Sequence, residues 1–260
     1  DGRNGAAAMD IAKEDVQARK AWFCFPAGLV CLGCDLRSAG PESLTTSLNQ
    51  CRLMSAVAIL GPSGWTEVRT SPPMSLPPAT RAVLQDGIGY ILLQRGGAVL
   101  SAGPQTGSWS ELRKEGVSAA PVAEAVFSLW LDHGPHPKGA SYAYALLPRT
   151  DRAEVERFAR APAYRVLANR SALQAVFSQG DRILEAAFHA PGEVLIPGGP
   201  RVAVDAPCLV MVDLAPPVAK LCVSDPTEKL VSVRVAVGGK RIAVRLPRGP
   251  RAGATAVRPI

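Results

Sequence analysis

Apolar and polar residues alternate in short runs along most of this chain, and the runs are too brief for long helices. KAWFCF (20–25) and LVCLGCDL (29–36) flank a Pro-Ala-Gly turn. LTTSLNQCRL (44–53), SAVAIL (55–60), GIGYILL (87–93), GAVLSAG (97–103), TGSWSEL (106–112), AEAVFSLWLD (123–132) and SYAYALLP (141–148) follow, parted by Gly, Pro, Ser or Asp clusters. Such runs between turn residues predict strands at short spacing, and so a large antiparallel sandwich rather than βαβ units. One segment has the helical period instead. DRAEVERFARA (151–161) sets Val155, Phe158 and Ala159 on one face, with Asp151 as cap, Glu154 three residues on, and Pro162 as the stop. Strand patterns then resume with YRVLAN, ALQAVFSQ, RILEAAFH, CLVMVDL, AKLCVSD, LVSVRVAV and RIAVRLP. The expected fold is all-β, with one domain over 1–162, a second over 163–260, and one short connecting helix.

The last hairpin is legible residue by residue. In VSVRVAV-GG-KRIAVRL, Gly238-Gly239 forms a two-residue turn, where positive φ costs glycine little. That register sets Val235 opposite Ile242, Val233 opposite Val244 and Val231 opposite Leu246, all on the buried face. Arg234, Arg241 and Arg245 take the other face.

Composition narrows the class. The chain has 260 residues, enough for one large or two modest domains, and 47% of them are apolar against 20% charged, which permits a real core. No apolar run reaches the roughly 18 residues of a membrane-spanning helix. The net charge of +7 is local: residues 228–260 hold eight Lys or Arg and the single acid Glu228, which leaves the rest neutral as a group. The opening DGRNGAAAMDIAKEDVQ lacks a basic stretch followed by an apolar core, so it does not read as a signal peptide. It starts on Asp1 rather than methionine, and reads as a mature or cleaved fragment whose upstream part is missing.

The six cysteines are 24, 31, 34, 51, 208 and 222. Cys31 and Cys34 make a lone CxxC with no second pair at zinc spacing, which argues against a structural zinc. Most sit among Phe, Val and Leu as small buried hydrophobes. Cys24 and Cys31 face each other as a possible disulfide if the turn between them is Ala27-Gly28.

LDHGPHPKGASYAYALLP (131–148) holds two of the three histidines, an aspartate and two tyrosines. One reading is an acid–base pair of His and Tyr. The other is an exposed, mobile Gly/Pro loop carrying His133 and His136, followed by a strand with Tyr142 and Tyr144 on one face. No companion nucleophile or carboxylate set accompanies them, which favours the second.

KAWFCFPAGLVCLGCDL, TTSLNQCRL, DGIGYILL, QTGSWSEL, LWLDHGPHPKGASYAYALLP, LANRSALQAVF and VSDPT, in this order, resemble the C-terminal half of polysaccharide lyase family 8, which contains hyaluronate, chondroitin AC and xanthan lyases. The likeness runs over most of residues 5–232. Departures fall at Cys24, Cys34 and Cys51, where relatives carry Phe, a small residue and a polar one. The resemblance implies part of a large antiparallel β super-sandwich, without its first strands, followed by a smaller C-terminal β-sandwich. It implies a secreted bacterial enzyme acting on uronic-acid polysaccharides, hyaluronan or chondroitin first and xanthan second, by β-elimination. In the family an Asn and a His neutralise the C5 carboxylate, a Tyr abstracts the adjacent proton, and an Arg aids positioning. Those groups lie on an α/α toroid upstream of Asp1. The resemblance therefore gives this chain no catalytic residue, removes His133, His136, Tyr142 and Tyr144 from that role, and makes the toroid an expected partner.

Two candidate sites remain. Asp1 and Asp10 bracket DGRNGAAAMD, which resembles a segment that supplies calcium-ligating carboxylates in some chondroitinase relatives; the other reading is two ordinary turn or edge aspartates. No organic cofactor is expected. Arg234, Arg241 and Arg245 suit the carboxylates and sulfates of an acidic glycan, or else form a solvated outer face. Nucleic acid is disfavoured because neither aromatic interleaving nor a basic helix accompanies them. Of the tryptophans, Trp65, Trp109 and Trp130 are weak candidates as sugar platforms, but Trp130, in the apolar run VFSLWL, is assigned to core, as is Trp22 in KAWFCF. The rival to the lyase reading is a non-catalytic carbohydrate-binding or structural β-module.

Overall fold

The computed structural model describes residues 2–113 and 115–260. The chain is all-β, a super-sandwich followed by a smaller β-sandwich. In chain order the first strands are β1 (Gly5–Lys13), β2 (Val16–Phe25), β3 (Gly28–Ser38), β4 (Ser43–Arg52), β5 (Val57–Gly61) and β6 (Gly64–Val68). Next come β7 (Thr70–Ser75), β8 (Ala82–Gln85), β9 (Ile88–Leu92), β10 (Ala98–Ser108), the one-turn helix α1 (Trp109–Leu112), β11 (Pro121–Pro135) and β12 (Lys138–Pro148). Helix α2 (Arg152–Arg160) precedes β13 (Tyr164–Arg170), β14 (Leu173–Ser178), β15 (Ile183–Phe188), β16 (Gly192–Leu195) and β17 (Arg201–Val204). The last strands are β18 (Cys208–Asp213), β19 (Lys220–Ser224), β20 (Ser232–Val237), β21 (Lys240–Arg245) and β22 (Ala256–Pro259). No helix among the described residues is long and apolar enough to cross a membrane.

Two compact units divide the chain. The first comprises residues 1–39, 138–145 and 160–260. Within it β13-β14-β15-β18-β19-β22 form one sheet and β16-β17-β20-β21 another. Their facing sides make a core of alternate residues, among them Phe177, Leu184, Phe188, Val202, Val210, Leu221, Val235 and Val244. Strands β14 and β15 are buried at every position. Their second face packs under β1 and β2, so the usual alternation of apolar-in and polar-out is lost. That second face contains Gln174, Ser178 and Glu185, all shielded from solvent.

The second unit comprises residues 40–137 and 146–159. It holds the sheet β4-β11-β10-β7 and the run β9-β8-β5-β6. Leu100, Phe127, Leu129, Leu60, Tyr90 and Ile91 fill its interior. Helix α2 is capped as its sequence predicts: the Glu154 amide donates to Asp151 Oδ1 at 2.8 Å, and Val155 and Phe158 are buried.

Several expectations are corrected. Strand β11 runs to Pro135 and β12 starts at Lys138, so His136 and Pro137 alone separate them where a mobile loop was expected. His133 is accordingly a strand residue, half-buried, with Nε2 at 2.9 Å from Thr46 Oγ1. TGSWSEL is not one strand. Ser108 ends β10 and its hydroxyl accepts from the Ser110 amide, which starts the single turn of α1. The turn between β2 and β3 is Pro26-Ala27, because Phe25 pairs with Gly28 and Cys24 with Leu29. Cys31 then sits opposite Trp22, not Cys24, and all six cysteines are free thiols.

Candidate functional site

The basic face stands where its register put it. Val235 pairs with Ile242 and Val233 with Val244 across the Gly238-Gly239 turn, whose φ values are +57° and +89°. Leu246 donates its amide to Val231 O at 2.9 Å, as that register requires. Val231 itself is exposed, because it lies beyond the end of β20. Arg234, Arg241 and Arg245 are all exposed and share the outer side of the sheet. Arg241 and Arg245 lie four residues apart on the edge strand β21, roughly 13 Å at strand rise. Arg234 stands on the neighbouring strand opposite Ala243, between them. Asp205 approaches Arg234 at 3.7 Å, and among the described residues no carboxylate pairs with Arg241 or Arg245. Two or three guanidinium groups fixed on a flat, exposed sheet attract an anionic polymer and can clamp its carboxylates bidentately.

Of the metal candidates, Asp1 lies outside the described residues. Asp10 is on β1, with Oδ1 at 3.4 Å from Arg19 Nε and 3.1 Å from His189 Nδ1. His189 Nε2 lies 3.2 Å from Gln174 Oε1, and Gln174 donates to Asn169 Oδ1 at 3.0 Å. Asn169 donates in turn to the carbonyls of Gly33 and Tyr142, both at 3.0 Å. Calcium takes six to eight oxygens. The described neighbours of Asp10 offer a guanidinium and an imidazole instead, and that donor set does not fit calcium. Among the described residues no group of three or more His, Cys, Asp or Glu converges to hold a metal ion. Nothing local marks His189 in the sequence, because Phe188 and Ala190 flank it and Asp10 and Gln174 lie far from it along the chain.

The His/Tyr stretch lacks an acid–base geometry. Tyr142 and Tyr144 share one face, as alternation predicts, but both are buried and stacked at 5.8 Å. Burial drives the Tyr142 hydroxyl pKa far up, with the Cys31 and Cys34 thiols adding to it. Cys31 and Cys34 are themselves raised to about 11 by burial, and Cys208 to about 12, so these thiols are inert at neutral pH. Trp109 is exposed, and Trp65 lies under the Arg152 guanidinium at 5.8 Å. Trp22 and Trp130, assigned to core, are only half-buried.

Comparison with known proteins places this framework. The model of the polysaccharide lyase family 8 super-sandwich domain matches residues 1–159. This chain belongs to polysaccharide lyase family 8. The model of the family 8 C-terminal β-sandwich domain matches residues 165–234. Chondroitinase-AC of Pedobacter heparinus is 33% identical over 262 residues, covering 98% of this chain and 37% of that enzyme. Hyaluronate lyase of Thermasporomyces composti is 33% identical over 249 residues, covering 90% of the chain and 30% of the enzyme. A chondroitinase AC lyase whose structure was solved with oligosaccharides superposes with a TM-score of 0.89 at 31% identity, over 98% of this chain and 38% of that one. The chain thus spans about a third of the length of these family 8 relatives.

Proposed function

We propose that this chain is the β-domain portion of a secreted lyase that degrades uronic-acid polysaccharides by β-elimination, with hyaluronan or chondroitin as substrate ahead of xanthan. The observation that carries this reading is the match of residues 1–159 and 165–234, in that order, to the two family 8 β-domain models. In this reading residues 1–162 are the central domain and 163–260 the C-terminal one. The proton-transfer groups belong to the α/α toroid, which is the chain's partner within the enzyme. Elimination needs a base near the proton beside the C5 carboxylate. The buried Tyr142 and Tyr144 offer none, so the 260 residues alone are inactive. Their role is to support the toroid, wall the substrate cleft, and add positive potential through Arg234, Arg241 and Arg245.

The test follows the unsaturated uronate product by ultraviolet absorbance, with full-length protein on hyaluronan, chondroitin and xanthan. Rising absorbance on one or more of them supports the reading. A folded full-length protein silent on all three overturns it. Replacing the three arginines with glutamine should raise KM for the polymer several-fold at low salt while kcat changes little, and the difference should shrink as salt screens the charges.

A further inference from the structure

The two sheets of the smaller β-sandwich end on the same flank. Strand β21 closes the sheet β16-β17-β20-β21, strand β22 closes β13-β14-β15-β18-β19-β22, and the two lie against each other. The segment between them, with a single 3₁₀ turn at Gly249–Arg251, crosses from one edge to the other. Edge strands need only one neighbour, so their outward positions are open to charged side chains. Here they are filled with them. Lys240, Arg241 and Arg245 on β21, Arg248 and Arg251 in the crossing segment, and Arg258 on β22 are all exposed.

Three features specify the partner. First, the charge is not neutralised. Arg19, Arg37, Arg52 and Arg201 elsewhere pair with carboxylates, but among the described residues no carboxylate pairs with any of these six. Glu228, the single acid of residues 228–260, leans instead toward Gly253, where an added Cβ would lie 3.3 Å from its Oε1. Second, five of the six are arginines, whose planar fork matches the oxygens of a sulfate or carboxylate. Third, residues 228–260 contain no Phe, Tyr or Trp. The segment therefore offers neither a sugar ring nor a nucleic-acid base a surface to stack on, and recognition goes by charge. A small anion gains little on such an exposed, salt-screened surface, whereas a polymer engages several cations together and releases their counterions. Matching several cations on one flank calls for a polymer with more than one charge per sugar pair, which sulfation supplies.

We infer that this flank is a docking site for a sulfated polysaccharide, recognised by its charge density and not by any uronate. The inference rests on the reading of the protein as a lyase of acidic glycans, and extends the part given there to Arg241 and Arg245. The flank tethers a polymer whether or not that polymer holds a bond the enzyme can break.

The experiment titrates the full-length protein with dextran sulfate, a sulfated glucan that has no uronate and so cannot undergo the elimination, in about 0.05 to 0.4 M NaCl. The expected result is binding that weakens steeply as salt rises. Arg248→Gln, Arg251→Gln and Arg258→Gln combined should weaken it roughly tenfold or more at the lowest salt, and reduce the log–log salt slope by about two to three. Arg95→Gln, Arg165→Gln and Arg170→Gln combined remove the same charge from exposed positions elsewhere, two of them on β13 at the far edge of the sheet. That variant should weaken binding by about twofold or less. Both variants should keep the wild-type melting temperature, because every replaced side chain is exposed. No binding at the lowest salt overturns the inference, and so do equal losses in the two variants, which would show an effect of net charge alone. A random-sequence DNA duplex bound as tightly as dextran sulfate, with the same loss in the flank variant, would make nucleic acid the partner and overturn it as well. Because the probe carries no uronate, dextran sulfate bound at this flank by a protein silent on hyaluronan, chondroitin and xanthan would support the site while overturning the lyase reading.

Discussion

Glu185 is an acidic residue with no accessible surface, and neither of its oxygens has a hydrogen-bond partner. It stands in β15 between Val176 of β14 and Met211 of β18, on the face that β1 and β2 cover. Burial raises its pKa to about 9. The folded form thus holds a proton between roughly pH 4.5 and 9 that the unfolded chain has released. Stability is full below that window and falls across it as pH rises, by up to about 1.4 kcal/mol per unit. Glu185→Gln should flatten this dependence in urea unfolding series taken from pH 5 to 8; an unchanged slope would assign the loss to other groups. Asp225 has the opposite sense. Its carboxylate accepts from the Thr227 amide and hydroxyl and from the Lys229 and Leu230 amides at 2.7–2.9 Å. Although burial alone would raise its pKa, these bonds outweigh it and hold the pKa below the ordinary carboxylate value. The stability it contributes is present above the ordinary pKa and is lost as pH falls through the lowered one. Asp225→Ala should cost about 2–3 kcal/mol at pH 7, measured by the same unfolding.

At the scale of elements, close packing within the first unit sets the limits. A Cβ on Gly33 of β3 would lie 2.0 Å from a Tyr142 ring carbon. Gly33→Ala should therefore destabilise by about 1–3 kcal/mol, and pairing it with Tyr142→Leu should recover much of the loss in a double-mutant cycle. A full additive loss would show that the clash is relieved some other way. The sequence made the interior strands legible: β14, β15, β18 and the β20–β21 hairpin all fall where their apolar runs place them. The strands it hid are chiefly edges. β1, β6, β7, β16 and β22 each end a run of paired strands, so they need only one neighbour and carry mixed sequences such as TSPPMS and GAAAMDIAK. Pro72 and Pro73 are tolerable in β7 for the same reason. The half-burial of Trp130 was equally hidden. VFSLWL reads as uniform core, and only the pairing of β11 with β4 and β10 shows which alternate residues face outward.

For the whole molecule, the matched family domains and the placement of its titratable groups point the same way. The chain has the architecture of the family 8 β-domains, spans about a third of the relatives' length, and buries the tyrosines of its one His/Tyr stretch. The arginine positions followed directly from the alternation of one hairpin. The Asp10–His189–Gln174–Asn169 network did not, because it joins residues far apart in sequence whose meeting depends on β1 lying across β15. The central claim is that these residues are the non-catalytic β-portion of a uronic-acid polysaccharide lyase. The most direct test is one ultraviolet assay on chondroitin and hyaluronan, run side by side on the isolated 260-residue chain and on full-length protein. The account predicts unsaturated product from the full-length protein and none from the isolated chain. Product formed by the isolated chain, or no product from either, would contradict it.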